Sequence, residues 1–206
     1  MNIIVAAPDQ QWNELTALRP NIHWLRVDDA AAFNEHKNAD AFFWLHDGSS
    51  VPDFSGISKP VMINSVVNTL ADLDTPDHVL RINGWPGFLK RTTWEIAGKM
   101  QPHIEAVFQY LNITINPVKD EPGFIAARII AMIINEAYFT LEEKVSSKEA
   151  IDIAMKLGTN YPFGPFEWAM LIGTEKIAAL LNKLNITDNR YQPSSLLIQE
   201  TTEKNS

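Results

Sequence analysis

Residues 118–130 read VKDEPGFIAARII and mark the point at which the pattern of the chain changes. Before this stretch, short apolar runs alternate with polar helical segments. After it, apolar residues recur every four positions in two adjacent series, at 125, 129, 133, 137 and 141 and at 126, 130, 134 and 138. Two adjacent series give one broad apolar face. They predict a largely buried helix over 124–141, with Asp120, Glu121 and Pro122 at its N-terminal end.

The part of the chain before this stretch predicts a parallel α/β layer. Continuous apolar runs are typical of strands buried on both faces, and helices between them are typical of parallel connections. We expect strands at 3–6, 22–27, 41–45, 61–64, 79–82 and 112–116, and helices at 10–18, 28–37 and 92–111. Residues 1–118 are therefore assigned to a small doubly wound α/β domain.

The part after this stretch predicts a helical domain over 119–200. Ser146 and Glu149 predict a capping box for a helix that runs to Leu157 and is stopped by Gly158, and a further helix is expected over 174–184. The segment 158–173 is expected to be a loop. Residues 201–206 are polar and are expected to form a frayed tail.

Composition excludes several classes of protein. The chain has 206 residues and a net charge of −8, which argues against a nucleic-acid-binding platform. It contains no cysteine, so disulfides, thiolate metal sites and cysteine nucleophiles are excluded. Its five histidines have no metal-ligand spacing, so no metal site is predicted. No apolar stretch approaches the roughly 20 residues of a membrane span, and a cytoplasmic location is expected.

The turn after the first expected strand lacks the glycines of a dinucleotide-binding turn. It reads Val5-Ala6-Ala7-Pro8-Asp9, and Asp9 would place a negative charge beside a pyrophosphate. We therefore assign no cofactor-binding residue. Asp9 is interpreted as a helix cap.

Two other segments are expected at the ligand edge of the sheet. His46 and Asp47 follow the third expected strand, although an ordinary loop pair is the simpler reading of them. Residues 81–91 read RINGWPGFLKR, which predicts a shaped loop in which Lys90 and Arg91 meet a phosphate group or form a solvated basic pair.

Two motifs in the second half resemble those of the 3-hydroxyacyl-CoA dehydrogenases. Residues 118–130 are similar to the family segment V-x-K-D-x-P-G-F-I-x-N-R-L. Residues 152–167, which read DIAMKLGTNYPFGPFE, are similar to the family segment D-x-A-M-x-x-G-x-x-Y-P-x-G-P-F-E. The two motifs follow in the family's order and spacing, and the resemblance extends over about residues 119–197.

The resemblance implies a fold, an activity and partners. The fold is a reduced Rossmann-like parallel sheet followed by an all-α C-terminal domain of the 3-hydroxyacyl-CoA dehydrogenase type, which in this family supports dimerisation. The implied activity is the NAD-dependent oxidation of a 3-hydroxyacyl-CoA in fatty-acid metabolism, with a histidine accepting the hydroxyl proton and a glutamate orienting it. A homodimer and an acyl-CoA ligand are the implied partners.

Residue by residue, the resemblance places the family's glutamate on Glu95 and its catalytic histidine on Asn83. The family's strand end that carries a substrate-contacting serine falls on residues 63–67, which places this serine on a valine, with Ser65 adjacent and Asn64 before it. The family's substrate-contacting asparagine falls on Ala127. Lys90, Arg91 and Arg128 are the candidate contacts to phosphate or carboxylate groups.

Three functions stay open at this point. The first is an acyl-CoA-binding relative of the dehydrogenases that lacks normal NAD-dependent catalysis. The second is an active oxidoreductase in which His46 or His78 has become the base. The third is a structural or regulatory subunit that pairs through the broad apolar face of 124–141.

Overall fold

The computed structural model describes residues 1–47 and 50–203. They divide into two compact units, Met1–Phe124 and Ile125–Ser206. The division falls later than the boundary expected at 118. Residues 119–124 stay with the first unit because, among other contacts, the Gly123 N–H donates to the Val66 carbonyl oxygen at 2.8 Å.

The first unit is built on one seven-stranded sheet in the order β2-β1-β3-β4-β5-β6-β7. All neighbouring strands are parallel except β5 and β6, which are antiparallel. Its elements are β1 (Asn2–Ala6), α1 (Asp9–Ala17), β2 (His23–Val27), a 3₁₀ helix (Ala30–Glu35), β3 (Ala41–Trp44), β4 (Val61–Asn64), β5 (Val79–Ile82), β6 (Thr93–Ala97), α2 (Pro102–Tyr110) and β7 (Thr114–Pro117).

The central strands form because their apolar residues can be buried on both faces of the sheet. Ile3, Val5 and Phe43 belong to the core on one face. Ile4 and Phe42 belong to the core on the other. Successive side chains of a strand point to opposite faces, so a continuous apolar run supplies both cores at once.

Two expected helices of this unit are wrong. The segment expected as one helix over 92–111 contains β6 and α2. Gly98 separates them at a φ of +136°, a backbone conformation that other residues rarely adopt. The segment expected as a helix over 28–37 is the shorter 3₁₀ helix, and the Asp29 carboxylate accepts from the N–H of Ala31 at 2.7 Å at its start.

The second unit is helical. It consists of α3 (Ala126–Glu142), α4 (Lys148–Thr159), α5 (Pro165–Ile172), α6 (Thr174–Asn185), a 3₁₀ helix (Asn189–Tyr191) and α7 (Ser195–Glu203). The expected loop over 158–173 is wrong because it contains α5. The expected frayed tail is wrong for residues 201–203, which complete α7, while residues 204–206 lie outside the described part of the chain.

Helix ends in this unit also differ from the expectation. Helix α3 begins at Ala126 and not beside Asp120, whose carboxylate has partners in the first unit. Helix α4 is capped by Ser147 and not by Ser146, because the Ser147 hydroxyl accepts from the N–H of Ala150 at 3.3 Å. It ends at Thr159 and not at Leu157, and the residue that follows, Asn160, has a left-handed φ of 56°.

None of the helices in residues 1–47 and 50–203 is both long and apolar enough to cross a bilayer.

The motif over 152–167 holds α4 and α5 together through one buried carboxylate. Asp152 accepts from the backbone N–H of Phe166 at 2.8 Å and of Glu167 at 3.2 Å, which satisfies two donors in the first turn of α5. This carboxylate lies directly beside Gly164. An added Cβ on Gly164 would lie 2.3 Å from the carboxyl carbon of Asp152.

Gly164→Ala is expected to lower the free energy of unfolding by about 1–3 kcal/mol, because the new methyl group overlaps Asp152. The matched control is Gly158→Ala in the last turn of α4, where an added Cβ meets nothing within 4 Å. This control is expected to be neutral or to stabilise by about 0.5–1 kcal/mol, through the higher helix propensity of alanine. Urea denaturation of both variants measures the difference, and equal effects would contradict this account.

Candidate functional site

Four elements bring their ends to one edge of the sheet. Strands β3, β4 and β5 end there because they are parallel, and β6 begins there because it runs antiparallel to β5. This carboxyl edge carries His46, Asn64, Asn83 and Glu95. In open α/β sheets, ligands bind outside the carboxyl ends of the strands.

Asn83 and Glu95 occupy neighbouring positions on one face of the sheet. Strands β5 and β6 pair Arg81 with Ala97 and Ile82 with Ile96, so the next pair in that register is Asn83 with Glu95. Asn83 is buried and Glu95 is half-buried. The Asn83 side-chain nitrogen Nδ2 has no hydrogen-bond partner among the described residues, so it does not donate to Glu95.

Asn64 joins the ends of three strands. Its Nδ2 donates to the Leu45 carbonyl oxygen at 3.3 Å, and its Oδ1 accepts from the Gly84 N–H at 2.9 Å. An added Cβ on Gly84 would lie 2.6 Å from the side chain of Asn64, so the close approach requires glycine. Ser65 follows it, and its hydroxyl donates to the Asn68 carbonyl oxygen at 2.8 Å. Asn64 and Ser65, which were both predicted to contact substrate, therefore lie at this edge. In this structure their side chains make hydrogen bonds to the protein's own backbone.

The predicted basic loop over 81–91 packs against α1. The Glu14 carboxylate accepts from the Gly87 N–H at 2.8 and 2.9 Å. Lys90 and Arg91 are exposed, and the Arg91 guanidinium lies 4.1 Å from the centre of the Phe88 ring. Cationic groups at this position remain open to solvent and to an anionic ligand.

Arg128 lies on α3 of the second unit and is half-buried. Its guanidinium carbon is 5.9 Å from the centre of the Tyr191 ring. The other predicted site residues all lie in the first unit: Asn64, Ser65, Asn83, Lys90, Arg91 and Glu95.

The turn between β1 and α1 does not fit a dinucleotide pyrophosphate. Pro8 precedes the first turn of α1 and has no N–H to donate. Arg26 instead holds the turn closed, because its Nη2 donates to the Ala7 carbonyl oxygen at 2.8 Å and to the Asp9 carboxylate at 2.6 Å. The negative charge of Asp9 and the missing glycines both oppose a close approach by phosphate.

The two histidines considered as substitute bases lie at opposite edges of the sheet. His78 precedes β5, at the edge away from Asn83, and its Nε2 lies 3.2 Å from the Phe54 carbonyl oxygen. His46 follows β3 at the carboxyl edge, and its ring centre is 4.6 Å from that of Trp44. Burial, and secondarily the charge of Arg26, lower the pKa of His46. His46 is therefore the better placed of the two.

A buried arginine that we did not predict as a site residue lies beside Asn83 and Glu95. Arg81 is 0% exposed and occupies the same face of β5 as Asn83. Its Nε donates to the Ser65 carbonyl oxygen at 2.8 Å, and its Nη2 donates to the carbonyl oxygens of Val66 and Glu121, each at 3.3 Å.

The charge of Arg81 is balanced by Asp120. The Nη1 of Arg81 donates to the Asp120 carboxylate, and this carboxylate also accepts from the Leu70 N–H at 2.9 Å. The Arg81 guanidinium lies 4.6 Å from the centre of the Phe124 ring. Burial lowers the pKa of Arg81, and the hydrogen bond to Asp120 opposes that shift. A single arginine within the apolar run 79–82 was the signal in the sequence, since a buried charge requires an acidic partner.

Within the part of the chain that the structure describes, no three histidine, aspartate or glutamate side chains are grouped so that they could hold a metal ion.

The second unit matches a known family of domains. A model of the 3-hydroxyacyl-CoA dehydrogenase C-terminal domain matches residues 123–205. The 3-hydroxyadipyl-CoA dehydrogenase of Escherichia coli (strain K12) is 44% identical over 88 residues, which are 42% of this chain and 18% of that protein. The 3-hydroxybutyryl-CoA dehydrogenase of Clostridioides difficile is 33% identical over 142 residues, which are 65% of this chain and 50% of that protein. The chain thus spans half or less of these two curated relatives.

A solved structure resembles nearly the whole chain in its fold. The (S)-3-hydroxybutyryl-CoA dehydrogenase of Ralstonia eutropha has a TM-score of 0.71 at 19% identity, covering 98% of this chain and 94% of that one. At this identity the likeness concerns the fold alone. It confirms the expected class, a Rossmann-like α/β unit followed by a helical unit.

Arg81→Met is expected to lower the free energy of unfolding by about 3–5 kcal/mol, because it removes the cation that pairs with the Asp120 carboxylate and one hydrogen-bond donor to each of three carbonyl oxygens. The matched control is Lys99→Met, which breaks the exposed pair of Lys99 with Asp77. We expect no measurable change there, because exposed pairs contribute little. Guanidinium denaturation of both variants tests this, and a small effect of Arg81→Met would contradict the role given to Arg81.

Proposed function

We propose, on the premise that this chain belongs to the 3-hydroxyacyl-CoA dehydrogenase family through its C-terminal domain, that it binds acyl-CoA thioesters without the family's usual NAD-dependent oxidation. The observation that carries the proposal is the register of β5 and β6, which pairs Arg81 with Ala97 and Ile82 with Ile96. Extended by one residue, this register places Asn83 opposite Glu95. In the resemblance these two positions belong to the catalytic histidine and its orienting glutamate.

An amide at position 83 supports binding but not proton transfer. Oxidation of a hydroxyl group needs a base whose pKa lies near the working pH, so that it accepts the proton as hydride leaves. An asparagine amide does not accept a proton in this range, but it still donates and accepts hydrogen bonds. Glu95 is left at this edge without an imidazole at position 83 to orient.

The β1–α1 turn supports the same proposal from the cofactor side. In the family, NAD would supply the hydride acceptor. Pro8 and Asp9 take the place of a glycine-rich turn, and Arg26 already binds both Ala7 and Asp9. Those residues would have to move before a pyrophosphate reached the start of α1.

The CoA phosphates are assigned to cationic side chains, of which Lys90 and Arg91 are exposed and Arg128 is half-buried. Lys90 and Arg91 follow the carboxyl edge of the sheet, and Arg128 lies on α3. Guanidinium groups bind phosphate with two parallel hydrogen bonds, which makes the two arginines the better candidates.

A thermal-unfolding series tests the proposal. CoA and acetoacetyl-CoA are expected to raise the midpoint, because a ligand at 100 times its Kd stabilises the native state by about 2.7 kcal/mol. NAD and NADH are expected to leave the midpoint unchanged. Arg91→Gln should reduce the shift given by CoA, whereas Lys99→Gln, at an exposed lysine away from the site, should not. A midpoint unmoved by both CoA compounds would overturn the proposal.

An active oxidoreductase with His46 as its base is the alternative. Its lowered pKa keeps this imidazole neutral at pH 7, which is the form that accepts a proton. This alternative predicts a midpoint shift with NADH and turnover of 3-hydroxybutyryl-CoA that is lost in His46→Gln. Turnover that survives in His46→Gln would exclude His46 as the base.

We also propose that the second unit pairs with a copy of itself. A groove of about 410 Å³ between α3 and α4 is lined mainly by apolar side chains, among them Ile133, Ala137 and Ala154. The apolar surface continues beyond the groove, since Ile129 is 54% exposed and Leu157 is 83% exposed. An exposed apolar surface of this kind is typical of an isologous dimer interface.

Leu157→Glu is expected to convert the dimer to a monomer, because it places a charge in the apolar surface while removing no buried contact. Leu18→Glu is the control, since Leu18 is 62% exposed but lies in the first unit. Sedimentation equilibrium of the two variants beside the parent chain gives the mass of each. A parent chain that is monomeric at micromolar concentration, or a dimer unaffected by Leu157→Glu, would refute the pairing.

A further inference from the structure

A buried arginine just after α1, Arg19, ties three segments of the first unit together. It is 8% exposed, and its guanidinium donates only to backbone carbonyl oxygens. Its Nη1 donates to Leu15 of α1 at 2.8 Å and to Leu89 at 3.3 Å. Its Nε donates to Leu111, after α2, at 3.1 Å, and its Nη2 donates to Arg91 at 3.3 Å. All four acceptors are neutral.

The charge of Arg19 has no acidic partner among residues 1–47 and 50–203. Arg81, which is also buried, differs because it pairs with Asp120. Burial lowers the pKa of both arginines, and within the described chain a carboxylate opposes that shift only at Arg81. A guanidinium stays protonated at neutral pH, so Arg19 keeps its positive charge. Such a charge is stabilised by an anion bound nearby, because Coulomb attraction is stronger away from bulk water.

The segment 89–91, which Arg19 holds at both ends, carries two exposed cations, Lys90 and Arg91. The backbone of Arg91 is fixed on both sides of its side chain. Its N–H donates to the Phe88 carbonyl oxygen at 3.2 Å, and its carbonyl oxygen accepts from the Trp94 indole at 2.8 Å as well as from Arg19. Its guanidinium packs on the Phe88 ring. An exposed cation held in this way loses little conformational freedom when it binds a ligand.

We infer that Arg19 is the positioning residue of an anion site formed by Lys90 and Arg91, and that this site takes a phosphate group. The inference rests on the proposed function, which assigns CoA phosphates to the same pair, and it adds a buried residue. Arg19 fixes the carbonyl groups on both sides of Lys90, and it adds a positive charge that the described residues do not neutralise. Phosphate fits because it carries up to two negative charges and accepts two parallel hydrogen bonds from a guanidinium.

Titration calorimetry of the full chain with CoA and with inorganic tripolyphosphate tests the site. Both probes are expected to bind. Arg19→Lys is expected to weaken each by about 10-fold, because lysine keeps the charge but lacks the planar fork that holds four carbonyl groups. The matched control is Lys99→Gln, at an exposed lysine that pairs with Asp77, and it should leave both affinities unchanged.

A double-mutant cycle separates positioning from a merely structural role. If Arg19 acts through Arg91, Arg19→Lys should weaken binding by about 10-fold in the parent chain but by less than about 2-fold in Arg91→Gln, which has no guanidinium to position. Equal losses in the two backgrounds would overturn the inference, because independent effects add.

Trp94→Phe provides the test if Arg19→Lys does not fold. It removes the other side-chain donor to the Arg91 carbonyl oxygen and retains an aromatic ring. It should weaken tripolyphosphate binding by about 3-fold. Trp168→Phe, which changes a buried tryptophan of the second unit, is its control and should have no effect. Equal effects of the two variants would count against the inference.

The two probes also separate this inference from the proposed function. If tripolyphosphate binding depends on Arg19 and CoA does not bind, the anion site stands and the proposed function fails. If CoA binds and Arg19→Lys changes neither affinity, the inference fails and the proposed function stands. If neither probe binds, both fail.

Discussion

The buried guanidinium of Arg81 is the interaction on which the first unit depends most. A charge placed within the run 79–82 would be costly without partners, so the chain must bring acceptors to it. It does so with the carbonyl oxygens of Ser65, Val66 and Glu121 and with the Asp120 carboxylate. Two segments remote in sequence are thereby fixed against one strand. This arrangement lies next to the carboxyl edge of the sheet, because Asn83 follows Arg81 on the same face of β5.

Buried or partly buried polar groups also find hydrogen-bond partners across the second unit. Asp152 satisfies the first turn of α5, and Glu142 accepts from the Ser194 hydroxyl at 2.6 Å at the start of α7. That hydroxyl and the N–H groups of Leu196 and Ser195 lower the pKa of Glu142. The first turns of α5 and α7 thus both receive acceptors from a carboxylate on another helix. Glycine at 164 and the residues around it are explained by this packing, without any catalytic role.

The candidate site differs from a usual dehydrogenase site in the type of chemistry its side chains support. The β5–β6 register places Asn83 opposite Glu95, and the family resemblance assigns a histidine to the position of Asn83. Arg26 and Asp9 make an internal ion pair at the β1–α1 turn, where a pyrophosphate would require open N–H groups. Under the proposed function, both features favour recognition of a ligand over proton and hydride transfer.

From its sequence, this chain could be assigned six of the seven strands of the sheet, the order of the two units and the family that the second unit resembles. Those features follow from apolar runs, periodicity and short motifs, all of which are patterns among residues that are close together in the sequence. The sequence did not reveal β6 within 92–111, because Trp94 and Ile96 are also compatible with the apolar face of a helix. The segment is a strand because it pairs with β5 and β7. The sequence also led us to place Asp120 at a helix start. The contact between Asp120 and Arg81 depends on the tertiary structure, because it joins two segments that are distant in sequence. The position of Asn83 opposite Glu95 also depends on it, because it follows from which strands are neighbours and in which register they pair.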